Sequence, residues 1–131
     1  MTGLASFRVG TATVVYFGGR ISDRAWLLSR GVAGDAQPSV VLDIAPDLPA
    51  DAWNEVLKYF PRRQVRVVAA HIEPDEVLRM GRWLATRLGE PVVVSTGVPE
   101  PAGNLAWFRL EPVGARPRKR QQPGRWWHRA A

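Results

Sequence analysis

The chain has 131 residues, 46% of them hydrophobic and 23% charged, the size and balance of one globular domain. It contains no cysteine, which excludes thiol nucleophiles, iron–sulfur clusters, disulfide frameworks and thiolate zinc sites. Its formal net charge of +6 is unevenly placed: residues 1–111 hold 12 Arg/Lys and all 12 Asp/Glu, while residues 112–131 hold only basic charges. The body is therefore neutral, and the basic character belongs to a C-terminal tail.

The first eight residues show no basic region leading into an apolar stretch, and no run reaches the ~20 apolar residues of a membrane span. The expectation is a cytoplasmic protein with no transmembrane segment, although export without a signal peptide stays open. Arginine outnumbers lysine 16 to 2, with 11 Pro and 12 Gly, the coding bias of a high-GC bacterium.

Phe7 and Val9 alternate with Arg8 and predict a short leading strand. Gly10 and Thr11 turn it into a second strand over residues 12–17, rich in β-branched and aromatic residues. Ser22 is a good N-cap for a helix through Arg30, with Gly31 as its stop and Trp26 and Leu27 facing the core. The continuous apolar run over residues 39–44 predicts a strand covered on both faces.

Pro46 ends that strand, and Pro49 stands at the first turn of the next helix. There Trp53, Val56, Leu57 and Phe60 form one apolar stripe, closed by Pro61. Residues 64–70 predict a third buried strand. Glu73, Asp75 and Glu76 open a longer helix, placing acids against its N-terminal dipole. Val77, Met80, Leu84 and Leu88 line its buried side, Trp83 lies off that stripe and reads as partly exposed, and Gly89 ends the helix. Residues 91–95 form a fourth buried strand. A proline-rich loop over 99–103 leads to a final edge strand over 105–110.

This alternation with short connections predicts an α/β fold: a three-layer sandwich with a mainly parallel sheet of five or six strands. Helices cover both faces and the crossovers are right-handed. The first and last strands are expected to pair antiparallel at the edges. The domain spans residues 1–112, and residues 113–131 form the tail.

Ligands of open α/β sheets bind at the carboxyl ends of the strands. Those ends offer Gly18, Gly19 and Arg20; Asp43; His71 and Glu73; and Ser95, Thr96 and Gly97. Imidazole exchanges a proton near neutrality, so His71 is a candidate general base. With Asp43 and Ser95 at the flanking strand ends, a Ser–His–Asp hydrolase arrangement is one reading. No G-x-S-x-G elbow marks Ser95 as a nucleophile, and the plainer reading is that His71 caps a helix or holds a loop.

Gly18, Gly19 and Arg20 sit between a strand and a helix, where backbone amides can hold a phosphate. They match neither a dinucleotide fingerprint nor a P-loop, and a glycine pair more often makes a tight turn. Only two histidines exist, and their spacing to acids fits no zinc or calcium pattern. No metal and no cofactor is expected.

In the tail, Arg116, Arg118, Lys119, Arg120, Arg125 and Arg129 flank Trp126 and Trp127. Basic residues with aromatics suit nucleic acid, through phosphate neutralisation and base stacking. The same mixture suits an anionic membrane surface. A third reading has the tail pack back on the domain or dock on a partner protein.

Residues 65–71, Val-Arg-Val-Val-Ala-Ala-His, and residues 84–97, from Leu84 through Pro91 to Gly97, resemble the caspase-like α/β domains of large actinobacterial polymorphic-toxin proteins. Residues 106–110 look like the aromatic strand that follows in such modules. The resemblance covers about residues 65–110. Those domains often end the third strand with a cysteine; here the place reads Ala70-His71. Cysteine-protease chemistry is excluded, and the resemblance implies a scaffold or interaction module in an effector or secretion setting.

The expectation is a non-enzymatic binding module whose partner is another protein, bound partly through the tail residues Arg116, Arg118, Lys119, Arg120, Arg125, Trp126, Trp127 and Arg129. Nucleic-acid binding by the tail and hydrolysis through His71 are the alternatives. Nothing in the sequence sets the oligomeric state.

Overall fold

The computed structural model describes residues 3–45, 47–60, 66–97 and 105–113. Strands β1 (Leu4–Val9) and β2 (Ala12–Phe17) form an antiparallel hairpin. Gly10, the first of its two turn residues, has φ +60°, the pattern of a type II′ turn. Thr11 ties this turn to the end of the first helix, its N–H and hydroxyl both donating to Ala33 O, at 2.9 and 3.0 Å.

Strands β3 (Ser39–Asp43), β4 (Arg66–Ala69) and β5 (Val92–Ser95) follow β2 in parallel. β6 (Phe108–Leu110) returns antiparallel to β5. All six lie in sequence order across one sheet. Helices α1 (Asp23–Val32), α2 (Ala50–Val56) and α3 (Pro74–Leu88) fill the crossovers, and α2 runs into a 3₁₀ turn, Leu57–Tyr59. The fold is the three-layer, mainly parallel α/β sandwich with antiparallel edges. No helix among the described residues is long and apolar enough to cross a membrane.

Alternation along the strands divides the core. Val15, Val40, Leu42, Val67, Ala69, Val92 and Val94 face α2 and α3. Val14, Val41, Val68 and Ala70 face α1. Leu105 and Trp107 cover the rest of the α1 face, and the Arg66 guanidinium lies 4.2 Å from the centre of the Trp107 ring.

Strands β2 to β5 all step the same way across the sheet. Right-handed crossovers throughout would therefore place every helix on one face. Yet α1 lies opposite α2 and α3, so the β2–α1–β3 connection has the opposite hand to the two that follow. Uniform right-handed winding and helices on both faces cannot hold together in this strand order.

Four local readings are corrected. Gly31 lies inside α1, which runs on to Val32. Its buried residues are Ala25, Ser29 and Val32, while Trp26 and Leu27 are exposed. The close-packed face of α1 is its small one, and the large residues point outward. Trp83 is buried, edge-on to Trp53 with ring centroids 6.3 Å apart. The last strand keeps only three residues, because 105–107 turn onto the α1 face. Ser22 and Gly89 cap their helices as expected, Gly89 with φ +74°. Pro46, Pro61, Gln64, Val65 and the 99–103 loop lie outside the described residues.

Candidate functional site

A crevice opens in an α/β sheet where neighbouring strands send their loops to opposite faces. The change of helix face puts that point between β2 and β3. The chain leaving β2 turns toward α1, and the chain leaving β3 turns toward α2. A cleft of about 400 Å³ lies there. Phe17, Arg20, Ile21, Ser22 and Asp23 line it from the β2 exit, with Asp43 from β3 and His71 from beyond β4.

Gly18 turns the chain out of β2 with φ +96°, and a Cβ on Gly19 would meet nothing within 4 Å. Gly18 therefore makes the turn that delivers Arg20 to the cleft, and Gly19 is not required by it. No hydrogen bond or ion pair holds the Arg20 side chain among the described residues.

Asp43 continues the α1-side alternation of Val41, which brings its buried carboxylate to the start of α1. Oδ2 accepts the Ser22 N–H at 2.7 Å, and Oδ1 accepts the Ser22 hydroxyl at 2.8 Å. Ser22 Oγ in turn accepts the Ala25 N–H at 3.2 Å. The helix N-terminus, a natural anion site, is thus filled by the protein's own carboxylate.

His71 joins this cluster through one nitrogen. Nε2 lies 2.5 Å from Asp43 Oδ1 and 3.2 Å from Ser22 Oγ. The ring is 37% exposed, and its other nitrogen has no partner among the described residues. Arg24, in the first turn of α1, fixes the loops beside it. Its Nε donates to Ala70 O at 2.5 Å, and its terminal nitrogen to Gly97 O at 3.3 Å.

The structure therefore brings His71 and Asp43 together. It does not bring Ser95 to them. Ser95 lies opposite Val68 in the sheet, three residues short of His71, and at ~3.3 Å per residue it sits below the rim. It is fully buried, and its Oγ accepts the Gly97 N–H at 3.2 Å. Ser22 stands where the sequence suggested Ser95. Ser22 caps α1 as the sequence predicts, and its hydroxyl also meets Asp43 and His71. Its signal was a hydroxyl on the β2 exit, next to the strand that carries Asp43.

Glu73 precedes α3 at its N-cap position. The described residues contain no group of three or more His, Cys, Asp or Glu able to hold a metal ion. Arg116, Arg118, Lys119, Arg120, Arg125, Trp126, Trp127 and Arg129 lie outside the described residues. The chain matches no family model, no curated protein and no solved structure.

Proposed function

We propose that this chain is a binding module rather than a catalyst, and that its rim cleft receives a segment of a partner protein. The observation that carries this reading is the convergence of Ser22 Oγ and Asp43 Oδ1 on the same ring nitrogen of His71. Acyl transfer requires the hydroxyl on one ring nitrogen, which takes its proton and later hands it to the leaving group, and the carboxylate on the other nitrogen, where it orients the ring and stabilises the imidazolium. Here the serine proton is directed to Asp43, and the serine lone pair is held by the Ala25 N–H. The hydroxyl works as a cap, not as a nucleophile.

The cleft suits recognition. Arg20 and the second nitrogen of His71 offer polar contacts, and Phe17 and Ile21 offer an apolar wall. An acidic side chain beside an apolar one complements that set. The setting we attach to this reading is cytoplasmic, in an actinobacterial effector or secretion system. It is supported by the resemblance of residues 65–110 to toxin-associated caspase-like domains and by the absence of their cysteine.

Affinity capture with the full chain and its Arg20→Glu variant tests the reading. A protein captured by the wild type and lost from the variant is the expected result; equal recovery overturns it. Ester hydrolysis that disappears in His71→Ala would instead support the hydrolase reading. A second binding reading rests on charge, since the whole +6 excess lies in residues 112–131. Nucleic-acid affinity through that tail must fall steeply with salt, so titration at two ionic strengths separates it from protein binding.

A further inference from the structure

The contacts of His71 fix which ring nitrogen carries a proton. Nε2 lies 2.5 Å from Asp43 Oδ1. Two lone pairs do not face each other at that distance, so a proton stands between them. A carboxyl gives up its proton about two pH units below an imidazole, so the proton rests on the nitrogen. Both Asp43 oxygens accept from Ser22, which is the acceptor-only pattern of a carboxylate. Ser22 Oγ is then fully used. It donates to Asp43, and its two lone pairs take the Ala25 N–H and a share of the Nε2–H.

A neutral imidazole has one N–H and one lone pair. With Nε2 committed to Asp43 and Ser22, the nitrogen left for a ligand is Nδ1. The neutral ring offers a lone pair there, and only the protonated ring offers a donor. The charges around the ring set the same condition. Asp43 reaches it from β3, Arg20 and Asp23 line the cleft from the β2 exit, and Arg24 of α1 binds Ala70 O beside it. Asp47 is exposed in the β3–α2 loop, and Glu73 precedes α3. With the ring neutral, the cleft lining holds two carboxylates, Asp23 and Asp43, against one cation, Arg20. Proton uptake makes the two signs equal and puts an N–H where the lone pair was.

We infer that the cleft takes up a carboxylate and a proton together, the carboxylate held between Arg20 and the Nδ1–H of a protonated His71. The inference rests on the cleft being the seat of an acidic partner segment, and it adds what gates that seat. The α1 N-terminus does not compete for the ligand, because Asp43 already fills it. Phe17 and Ile21 border the same space, and an apolar wall strengthens a charge pair by keeping water from it. Each bound carboxylate brings one proton. Affinity therefore falls about tenfold for each pH unit above the midpoint of the ring's titration, and levels off below it.

The test uses the full chain with the dipeptide acetyl-glutamyl-leucine amide and its glutaminyl analogue. His128→Gln leaves His71 as the one histidine, so ring-nitrogen NMR reads it alone. The neutral ring is expected to be the Nε2–H tautomer. The glutamyl peptide is expected to bind with the tenfold slope between about pH 6 and 8, and the glutaminyl peptide with no slope. His71→Gln keeps an amide donor for Asp43 but takes up no proton, and is expected to bind the glutamyl peptide equally weakly at every pH. If that variant does not fold, the wild-type slope and the tautomer decide. An Nδ1–H tautomer, a glutamyl affinity that ignores pH, or the same slope in His71→Gln overturns the inference and leaves the cleft as a binding site. Failure of both peptides to bind at any pH overturns the inference and the cleft reading together.

Discussion

Asp43 Oδ2 accepts the backbone N–H of Ser22 at 2.7 Å, which makes a strand-end carboxylate the anchor of a helix N-terminus. The same carboxylate holds the Ser22 hydroxyl and His71. Removing it strips the cap of its support and leaves the part-buried Ser22 donors unpaired. Asp43→Ala is expected to cost about 2–4 kcal/mol, from hydrogen bonds to a charged group and a weakened cap. His71→Ala removes a part-exposed ring and is expected to cost under about 1 kcal/mol. Urea unfolding of both variants checks this. Equal losses would show that the carboxylate serves the histidine more than the helix.

Arg24 joins three elements at the rim by binding Ala70 O and Gly97 O from the first turn of α1. His71 follows Ala70 directly, so Arg24 positions the histidine through its backbone. Arg24→Met keeps most of the aliphatic stem and loses both hydrogen bonds. The expected outcome is a stability loss of about 1–2 kcal/mol. Hydrogen exchange is expected to accelerate at residues 70–72 and 95–97, with little change at the distant Gly10–Thr11 turn. Uniform acceleration across the sheet would point to global destabilisation instead.

β2, β3 and α3 were legible because their patterns are strong. Runs of branched residues make fully covered strands, and Val77, Met80 and Leu84 repeat at helical spacing. The phase of α1 was not legible. Its largest residues, Trp26 and Leu27, suggested a buried face, yet Ala25, Ser29 and Val32 are what the sheet accepts. Size marks a core residue only when the gap between layers is wide enough to take it. The site was half legible. Strand-end positions selected His71 and Asp43, since β3 and β4 are neighbours. Ser22 was missed as their partner because its approach depends on α1 crossing to the face opposite α2 and α3. That is a choice of crossover hand, and no local pattern encodes it.

Trp83 and Trp26 are each placed opposite to the sequence expectation, and they give a paired measurement. Trp83 is 3% accessible and packs edge-on to Trp53, joining α3 to α2. Trp26 is 39% accessible and touches Phe7 on the outer surface. Trp83→Ala is expected to cost about 3–5 kcal/mol, the range for emptying a large aromatic site. Trp26→Ala is expected to cost under about 1 kcal/mol. Denaturant midpoints and the quenching of each tryptophan's fluorescence check both values, and equal costs would contradict the two burial states.

Gly81 sets how closely α3 lies on the sheet. A Cβ at this position would fall 2.4 Å from Leu110 Cδ1 and 2.8 Å from Val94 Cγ1, closer than carbon atoms approach. In an exposed helix, replacing glycine by alanine stabilises by up to about 1 kcal/mol, because alanine has the higher helix propensity. Here the added methyl must displace the Leu110 and Val94 side chains or lift α3 from the β5–β6 edge, and overpacking of this kind costs about 1–3 kcal/mol. The second effect is the larger, so Gly81→Ala is expected to destabilise by about 1–2 kcal/mol. Pairing it with Leu110→Ala makes room for the methyl. The double variant is then expected to lose less than the sum of the two single losses, because the two sites share one contact. Thermal unfolding of the four proteins measures that coupling. Additive losses would mean that the sheet edge yields to the methyl without strain.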